Sequence, residues 1–208
     1  MRRRLFLSVL LFSSFAFAQT TASLPAPQLK GGMSLTEALA TRRSIRSLTP
    51  TPLTQQELSQ LLWSAQGITD SKGHRTAPSA RARYFVQIYV ATHDGVSQYV
   101  PEGHKLRKLT ADDVRSRLSQ QPTTAAAAAV FIITGDYDRA AQGSSREIAS
   151  RWVDLEAGHA AQNLLLQATA LSLGAVPMGG FDPDAVWKLL SLPTSSRPIY
   201  LIPVGHPK

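Results

Sequence analysis

The chain has 208 residues, 43% of them hydrophobic and 17% charged, which is enough apolar content for a packed core and excludes a disordered polymer. It contains no cysteine, so disulfides, thiolate nucleophiles, iron–sulfur clusters and cysteine zinc sites are excluded together. The formal net charge is +8, but three of those charges belong to Arg2, Arg3 and Arg4, and the remaining arginines are scattered, without a basic helix interleaved with aromatics, so the footprint of nucleic-acid binding is missing.

The N-terminus has the layout of a secretory leader. Met1–Arg4 is a basic region, Leu5–Phe15 is a short apolar run, and Ala16-Phe17-Ala18 fits a small-x-small cleavage pattern. Residues 1–18 are therefore expected to be a signal peptide, with export to the periplasm. The apolar run is shorter than the roughly 20 residues of a spanning helix, so membrane attachment would arise only from an uncleaved leader. Arg3-Arg4-Leu5-Phe6-Leu7 also fits the twin-arginine motif; ordinary secretion and twin-arginine export both stay open.

Residues 19–33, rich in Thr, Ser, Pro and Gly, read as a linker, and residues 34–208 as the folded domain. Ser34-Leu35-Thr36-Glu37 and Thr54-Gln55-Gln56-Glu57 are capping boxes, in which a hydroxyl and a glutamate each satisfy a free backbone donor. Leu35, Ala38 and Leu39 mark one face of the first helix. Leu58, Leu61, Leu62 and Ala65 mark the second. A polar loop covers 67–83. Tyr84–Ala91 reads as a strand, His93-Asp94-Gly95 as a turn, and Val96–Val100 as a second strand. Asp112–Leu118 is expected to be helical. Ala128–Thr134 reads as a strand buried on both faces. Ile148–Leu173 is the longest helix, apolar nearly all round from Ala157. Ala175–Phe181 reads as extended, Pro183–Leu190 as a short helix, and Ile199–Val204 as a final strand. No regular βαβ rhythm appears, which favours an α+β fold.

Three constellations could carry chemistry. Arg42-Arg43-Ser44-Ile45-Arg46 offers three guanidinium groups and a hydroxyl at a helix end, a set that matches phosphate oxygens but also suits a solvated C-terminal turn. Gly174-Ala175-Val176-Pro177-Met178-Gly179-Gly180-Phe181 lets backbone amides approach a ligand, yet reads equally as a helix stop and turn. Neither dinucleotide nor P-loop fingerprints occur. Glu156, His159 and Asn163 share one stripe of the long helix; a metal site of the di-iron type needs this pattern twice, and it occurs once, so a polar stripe satisfied in the core or at a subunit interface is the alternative. No G-x-S-x-G elbow is present.

Taken together, these motifs resemble the nitroreductase superfamily, and most nearly its branch of SagB-type dehydrogenases. The resemblance runs from Leu24 to Pro207 through LPAPQL, ALATRRSIR, ELSQLLWSAQGIT, RTAPSA, EAGHAAQNLLLQATAL, GAVPMGGF and PVGHP. It implies an α+β fold with a central mixed sheet packed by helices, a homodimer, and one FMN in each of two sites at the subunit interface. It carries phosphate and ribityl binding to Arg42, Arg43, Ser44 and Arg46. It places Pro78, Ser79 and Ala80 beside the flavin ring, and Pro177, Met178, Gly179 and Gly180 close to it. The branch usually has glycine where this chain has Arg81, which puts the substrate class in doubt. The family's basic residues that reach the phosphate beyond the V-G-H motif are expected either to be missing here or to be replaced by His206 or Lys208. The implied activity is FMN-dependent oxidoreduction of a small molecule, with the flavin carrying the chemistry and no catalytic triad. A non-catalytic exported protein that keeps the fold to bind a ligand or partner is the competing reading.

Overall fold

The computed structural model describes residues 20–208; the leader expected at residues 1–18 lies outside the described residues. Seven strands form one sheet: β1 (Thr21–Ser23), β2 (Val86–Thr92), β3 (Gly95–Val100), β4 (Lys105–Thr110), β5 (Ala129–Asp136), β6 (Gly174–Ala175) and β7 (Ser196–Gly205). Their order is β1-β4-β3-β2-β5-β7-β6. These strands pair antiparallel. Parallel pairing among the described residues is confined to a bridge between Ser44 and Ala175. The helices are α1 (Leu35–Thr41), α2 (Gln55–Gln66), α3 (Pro122–Ala126), α4 (Tyr137–Ala141), α5 (Arg146–Ala170) and α6 (Pro183–Leu189). The fold is α+β, as the absence of a βαβ rhythm implied.

Both faces of the sheet are covered, and β5 shows why its sequence is continuously apolar. Ala129, Phe131 and Ile133 face α2 and α5, where they meet Leu61, Leu62, Ala157 and Leu164. Val130 and Ile132 face the other way, toward Leu118, Val176, Met178 and Val186. A strand buried on both sides has no need of polar alternation. Five buried alanines of α5, at 149, 157, 160, 161 and 168, keep the side chains toward the sheet small, so the helix lies close to it.

Local chemistry sets the element ends. Thr54 and Glu57 complete their reciprocal capping box. Ser34 accepts from Glu37 N at 3.2 Å, which starts α1. Gly95 turns the β2–β3 hairpin with φ at 115°, and a Cβ there would sit 2.1 Å from the Thr110 carbonyl, so only glycine fits.

Several segments depart from the sequence reading. The linker expected at 19–33 is docked from Thr21, where β1 pairs with β4. Its next residues are pinned by side chains: Ser59 donates to the Pro25 carbonyl at 2.6 Å, and Gln28 N donates to Gln60 Oε1 at 2.8 Å. The helix expected at Asp112–Leu118 is a single 3-10 turn at Arg115–Arg117. There Arg115 forks onto Asp113 and donates to the carbonyls of Ala127 and Ala128, so local side-chain bonds displace the helical ladder. β4, α3 and α4 have no counterpart in the reading. The long helix ends at Ala170, before Gly174, with Leu171 as its cap.

Candidate flavin site

The segment that follows α1 is fixed by its backbone. Ile45 N donates to the Ala175 carbonyl at 3.0 Å, and Ser44 bridges Ala175. Thr49 N donates to the His206 carbonyl at 2.8 Å, and Lys208 N to the Ser47 carbonyl at 3.0 Å. Two glycines make room for this approach. A Cβ on Gly174 would lie 2.6 Å from Leu48 Cδ2, and one on Gly205 would lie 2.9 Å from the Thr49 carbonyl. The structure therefore brings the Arg-Arg-Ser-x-Arg segment against the start of the Val-Pro-Met-Gly-Gly segment.

The side chains of this segment stay available. Arg42 is half-buried, while Arg43, Ser44 and Arg46 are exposed. Arg43 spends its guanidinium on the carbonyls of Ala40 and Arg42, at 3.1 and 2.8 Å. Among the described residues, no hydrogen bond or ion pair engages the side chain of Arg42, Ser44 or Arg46. Downstream, Met178 is buried and pairs with Leu201 through both its N–H and its carbonyl. Pro177 is half-buried, and Gly179 and Gly180 are exposed. The two glycine N–H groups have no acceptor among the described residues. A Cβ on Gly179 would meet nothing within 4 Å, so the backbone here fronts open space.

The Pro78-Ser79-Ala80 loop is held by other means. Glu156, only 1% exposed on α5, accepts from Ser79 Oγ at 2.5 Å, Phe85 N at 3.2 Å, Val86 N at 3.0 Å and Gln66 Nε2 at 3.3 Å. Ser79 Oγ in turn accepts from Tyr84 N at 2.8 Å. Asn163 Nδ2 donates to the Thr76 carbonyl at 3.1 Å. Two members of the polar stripe thus clamp this loop, and His159 is exposed. Among the described residues, no group of three or more His, Cys, Asp or Glu could hold a metal ion. The Ser79 hydroxyl is committed inward, Pro78 is exposed, and Ala80 is half-buried and packs against the cluster of Phe85, Ala140, Ala149 and Val153. No hydrogen bond or ion pair among the described residues joins Pro78–Ala80 to Arg42–Arg46 or to Pro177–Gly180.

His206 sits apart from the guanidinium groups in its side-chain contacts. Its Nε2 faces Glu57 Oε1 at 3.5 Å, and its buried Nδ1 has no partner. Its documented link to the arginine segment is its backbone carbonyl. Arg81 has φ at 57°, in the left-handed region that glycine occupies freely, and its guanidinium lies 5.0 Å from the centre of the Trp152 ring. The residue that departs from the expected glycine is therefore conformationally strained and stacked on α5. Glu156 was noticed in the sequence, but only as part of a stripe. Its role as the anchor of residues 66, 79, 85 and 86 needs the fold, because its partners lie 70 or more positions away in the chain.

Comparison with known proteins agrees with this architecture. The sequence profile described as the nitroreductase family matches residues 39–206. A Methanocaldococcus jannaschii protein named a putative nitroreductase is 37% identical over 182 residues, covering 83% of this chain and 90% of the relative. A crystal structure titled as a putative nitroreductase from Ralstonia eutropha superposes with a TM-score of 0.85 at 30% identity, over 90% of both chains. The fold extends to the NADPH:FMN oxidoreductase of Vibrio harveyi, with a TM-score of 0.63 at 24% identity, over 84% of this chain and 69% of the other. The chain belongs to the nitroreductase family of oxidoreductases.

Proposed function

We propose that the protein is an FMN-dependent oxidoreductase that passes electrons to or from a small molecule, with FMN seated between two copies of the chain. The observation that carries this reading is the set of unengaged donors at Arg42, Ser44 and Arg46, held beside Ala175 by backbone bonds. FMN offers what such a set lacks. Its phosphate is an acceptor for guanidinium forks and a hydroxyl, and its ring edge is an acceptor for backbone N–H groups. The donors present therefore fit the group.

In this reading Arg42 and Arg46 bind the phosphate, with Ser44 adding a neutral bond. The free N–H groups of Gly179 and Gly180 stand where a ring edge can be met, and donors aimed at developing negative charge favour the reduced cofactor. Pro78 supplies an apolar border that excludes water, with Ala80 packed behind it. When bound, FMN supplies hydride transfer through its N5. Residue placement within the chain supports assembly from two copies, since the Pro78–Ala80 loop shares no polar contact with the arginine segment. Uncovered apolar side chains also support it: Leu35 and Leu39 on α1 are 66% and 55% exposed, and Leu155 on α5 is 56% exposed. Such residues are favoured at a subunit contact.

Within the family we place the chain near the SagB-type branch, on the P-S-A and V-P-x-G-G segments. We further propose export, with cleavage after Ala18. No helix among the described residues is long and apolar enough to cross a membrane. Mass analysis of the mature N-terminus tests the cleavage; an intact Met1 on exported protein contradicts it. Purified protein should be yellow. Dilution should release FMN and dissociate the dimer together, because a ligand bound only by the dimer stabilises the dimer. Sedimentation read in the flavin absorption band checks this, and a colourless protein or a monomer that keeps its full flavin refutes it.

A further inference from the structure

A second site lies away from the arginine segment. A polar cavity of about 240 Å³ opens where β2 begins and β3 ends. None of Arg42–Arg46 or Pro177–Gly180 lines it. Three guanidinium groups border it, those of Arg75, Arg107 and Arg139, against a single carboxylate, Glu102. Glu102 reaches Arg75 at 3.0 Å, and its own side chain is largely exposed.

Among the described residues, neither of the other two arginines has a charged acceptor within hydrogen-bond distance. Arg107 and Arg139 each carry a buried Nε–H with no hydrogen-bond partner among the described residues. Asp136 stands 3.8 Å from Arg139 Nε, beyond hydrogen-bond reach. Their remaining bonds go to neutral oxygens: Arg107 donates to Gln98 Oε1, and Arg139 to the Tyr84 carbonyl. Buried donors without acceptors are costly, more so when charged, and three guanidinium groups around one small space repel one another, which Glu102 and Asp136 offset in part.

A separate observation points to the same wall. Tyr84, which lines the cavity, has φ at 51°, and Arg81 and Ala82 just before it have φ at 57° and 51°. Non-glycine residues hold this conformation only where the surroundings over-determine it, and such strain gathers at ligand clamps. Tyr84 is gripped on several sides. The Arg75 guanidinium lies 4.6 Å from its ring centre, Arg75 N donates to its phenol oxygen at 3.2 Å, and Arg139 holds its carbonyl.

We propose that this cavity is a binding site for a small oxyanion, a phosphate or the carboxylate of a small molecule. Guanidinium forks match both groups, and an anion neutralises the cluster. The volume is below the roughly 300 Å³ at which pockets for drug-sized ligands begin, which suits a small anion. Because Tyr84 N also donates to Ser79 Oγ, an occupant steadies the Pro78–Ala80 loop from behind. The site does not rest on the flavin reading.

The direct test is nitrogen–proton NMR of arginine Nε–H groups in the full-length protein, titrated with inorganic phosphate and, separately, with acetate. The Nε–H signals of Arg107 and Arg139, assigned by their loss in Arg107→Gln and Arg139→Gln, should shift saturably. Calorimetric affinity for the anion should fall about ten- to a hundredfold in either variant, the loss of one charged hydrogen bond. If a glutamine variant unfolds, Arg107→Lys and Arg139→Lys keep the charge without the fork and should still weaken binding. A response to phosphate alone, or to acetate alone, supports the site and identifies its ligand. The proposal is overturned if neither anion moves these signals. It is equally overturned if binding survives in the arginine variants of the cavity and disappears in Arg42→Ala.

Discussion

Residues 42–49 and residues 75–86 are both short connecting segments, yet they are held by opposite means. The first is fixed by its backbone, through Ile45 N on Ala175, Thr49 N on His206 and the close approach allowed at Gly174 and Gly205. Most of its polar side chains are left over: those of Arg42, Ser44 and Arg46 have no partner among the described residues. The second is fixed by one buried side chain, the Glu156 carboxylate, on which the Ser79 hydroxyl and the backbone N–H groups of Phe85 and Val86 converge. Its polar groups are consumed in the holding, and it carries left-handed strain at Arg81, Ala82 and Tyr84. A segment anchored by backbone can offer its side chains to a ligand. One anchored by side chains offers a shaped wall instead.

This contrast is broken most forcefully at Glu156. Glu156→Ala removes the acceptor of two backbone N–H groups and the Ser79 hydroxyl, and should cost about 3 kcal/mol or more, since each buried donor left unmade costs roughly 1–3 kcal/mol. Denaturant unfolding checks it, and a loss below about 1 kcal/mol would mean that the loop is held otherwise. Gly205→Ala attacks the other segment. Its added Cβ would lie 2.9 Å from the Thr49 carbonyl and 3.2 Å from Ala128 N. Both neighbours are backbone, so overpacking of about 1–3 kcal/mol is expected, with hydrogen exchange quickening at Thr49 N. Arg46→Ala should leave stability unchanged to within about 0.5 kcal/mol, as an exposed side chain without partners.

Two titrations sharpen the picture at smaller scale. The hydrogen bonds from Arg115 hold the Asp113 carboxyl below its ordinary value of 3.8, against a smaller opposing effect of burial. A depressed carboxylate contributes stability above its unfolded-state value and loses it as pH falls through the folded one. Asp113→Asn should therefore destabilise at neutral pH and matter little in strong acid. Burial likewise lowers His104 from 6.5, with the Pro25 carbonyl opposing. For a histidine the unfolded chain then takes the proton first, so stability is full above about pH 6.5 and declines as pH falls below it. His104 contacts Tyr99 Oη at 2.8 Å and Ser59 Oγ at 2.7 Å, and through them the segment at Pro25. Hydrogen exchange of Leu24 N, which donates to the His104 carbonyl, should quicken between pH 7 and 5; an unchanged rate contradicts this.

The parts legible in the sequence are those governed by local rules. The Thr54–Glu57 box, the turn at Gly95, the double-sided apolar run of β5 and the proline start of α6 each follow from neighbouring residues. The parts that escaped depend on distant partners. β1 is too short and polar to read as a strand, and forms because β4 offers an edge. Asp112–Leu118 has helical spacing, but Arg115 finds carbonyls twelve and thirteen positions away that outbid the ladder. The arginine segment was legible as a phosphate-type cluster, and its seating beside Ala175 was not. The resemblance places Ser79 beside the flavin ring; the bond of its hydroxyl to a glutamate 77 positions later was not legible.

The central claim is that Arg42, Ser44 and Arg46 seat the phosphate of FMN. It is tested most directly by titrating apo-protein with FMN and following flavin fluorescence, for the parent and for Arg42→Ala, with thermal unfolding measured alongside. The account predicts that the variant unfolds like the parent and binds FMN about ten- to a hundredfold more weakly, the cost of one charged hydrogen bond. Equal affinity for FMN in the two proteins, at equal stability, would contradict it.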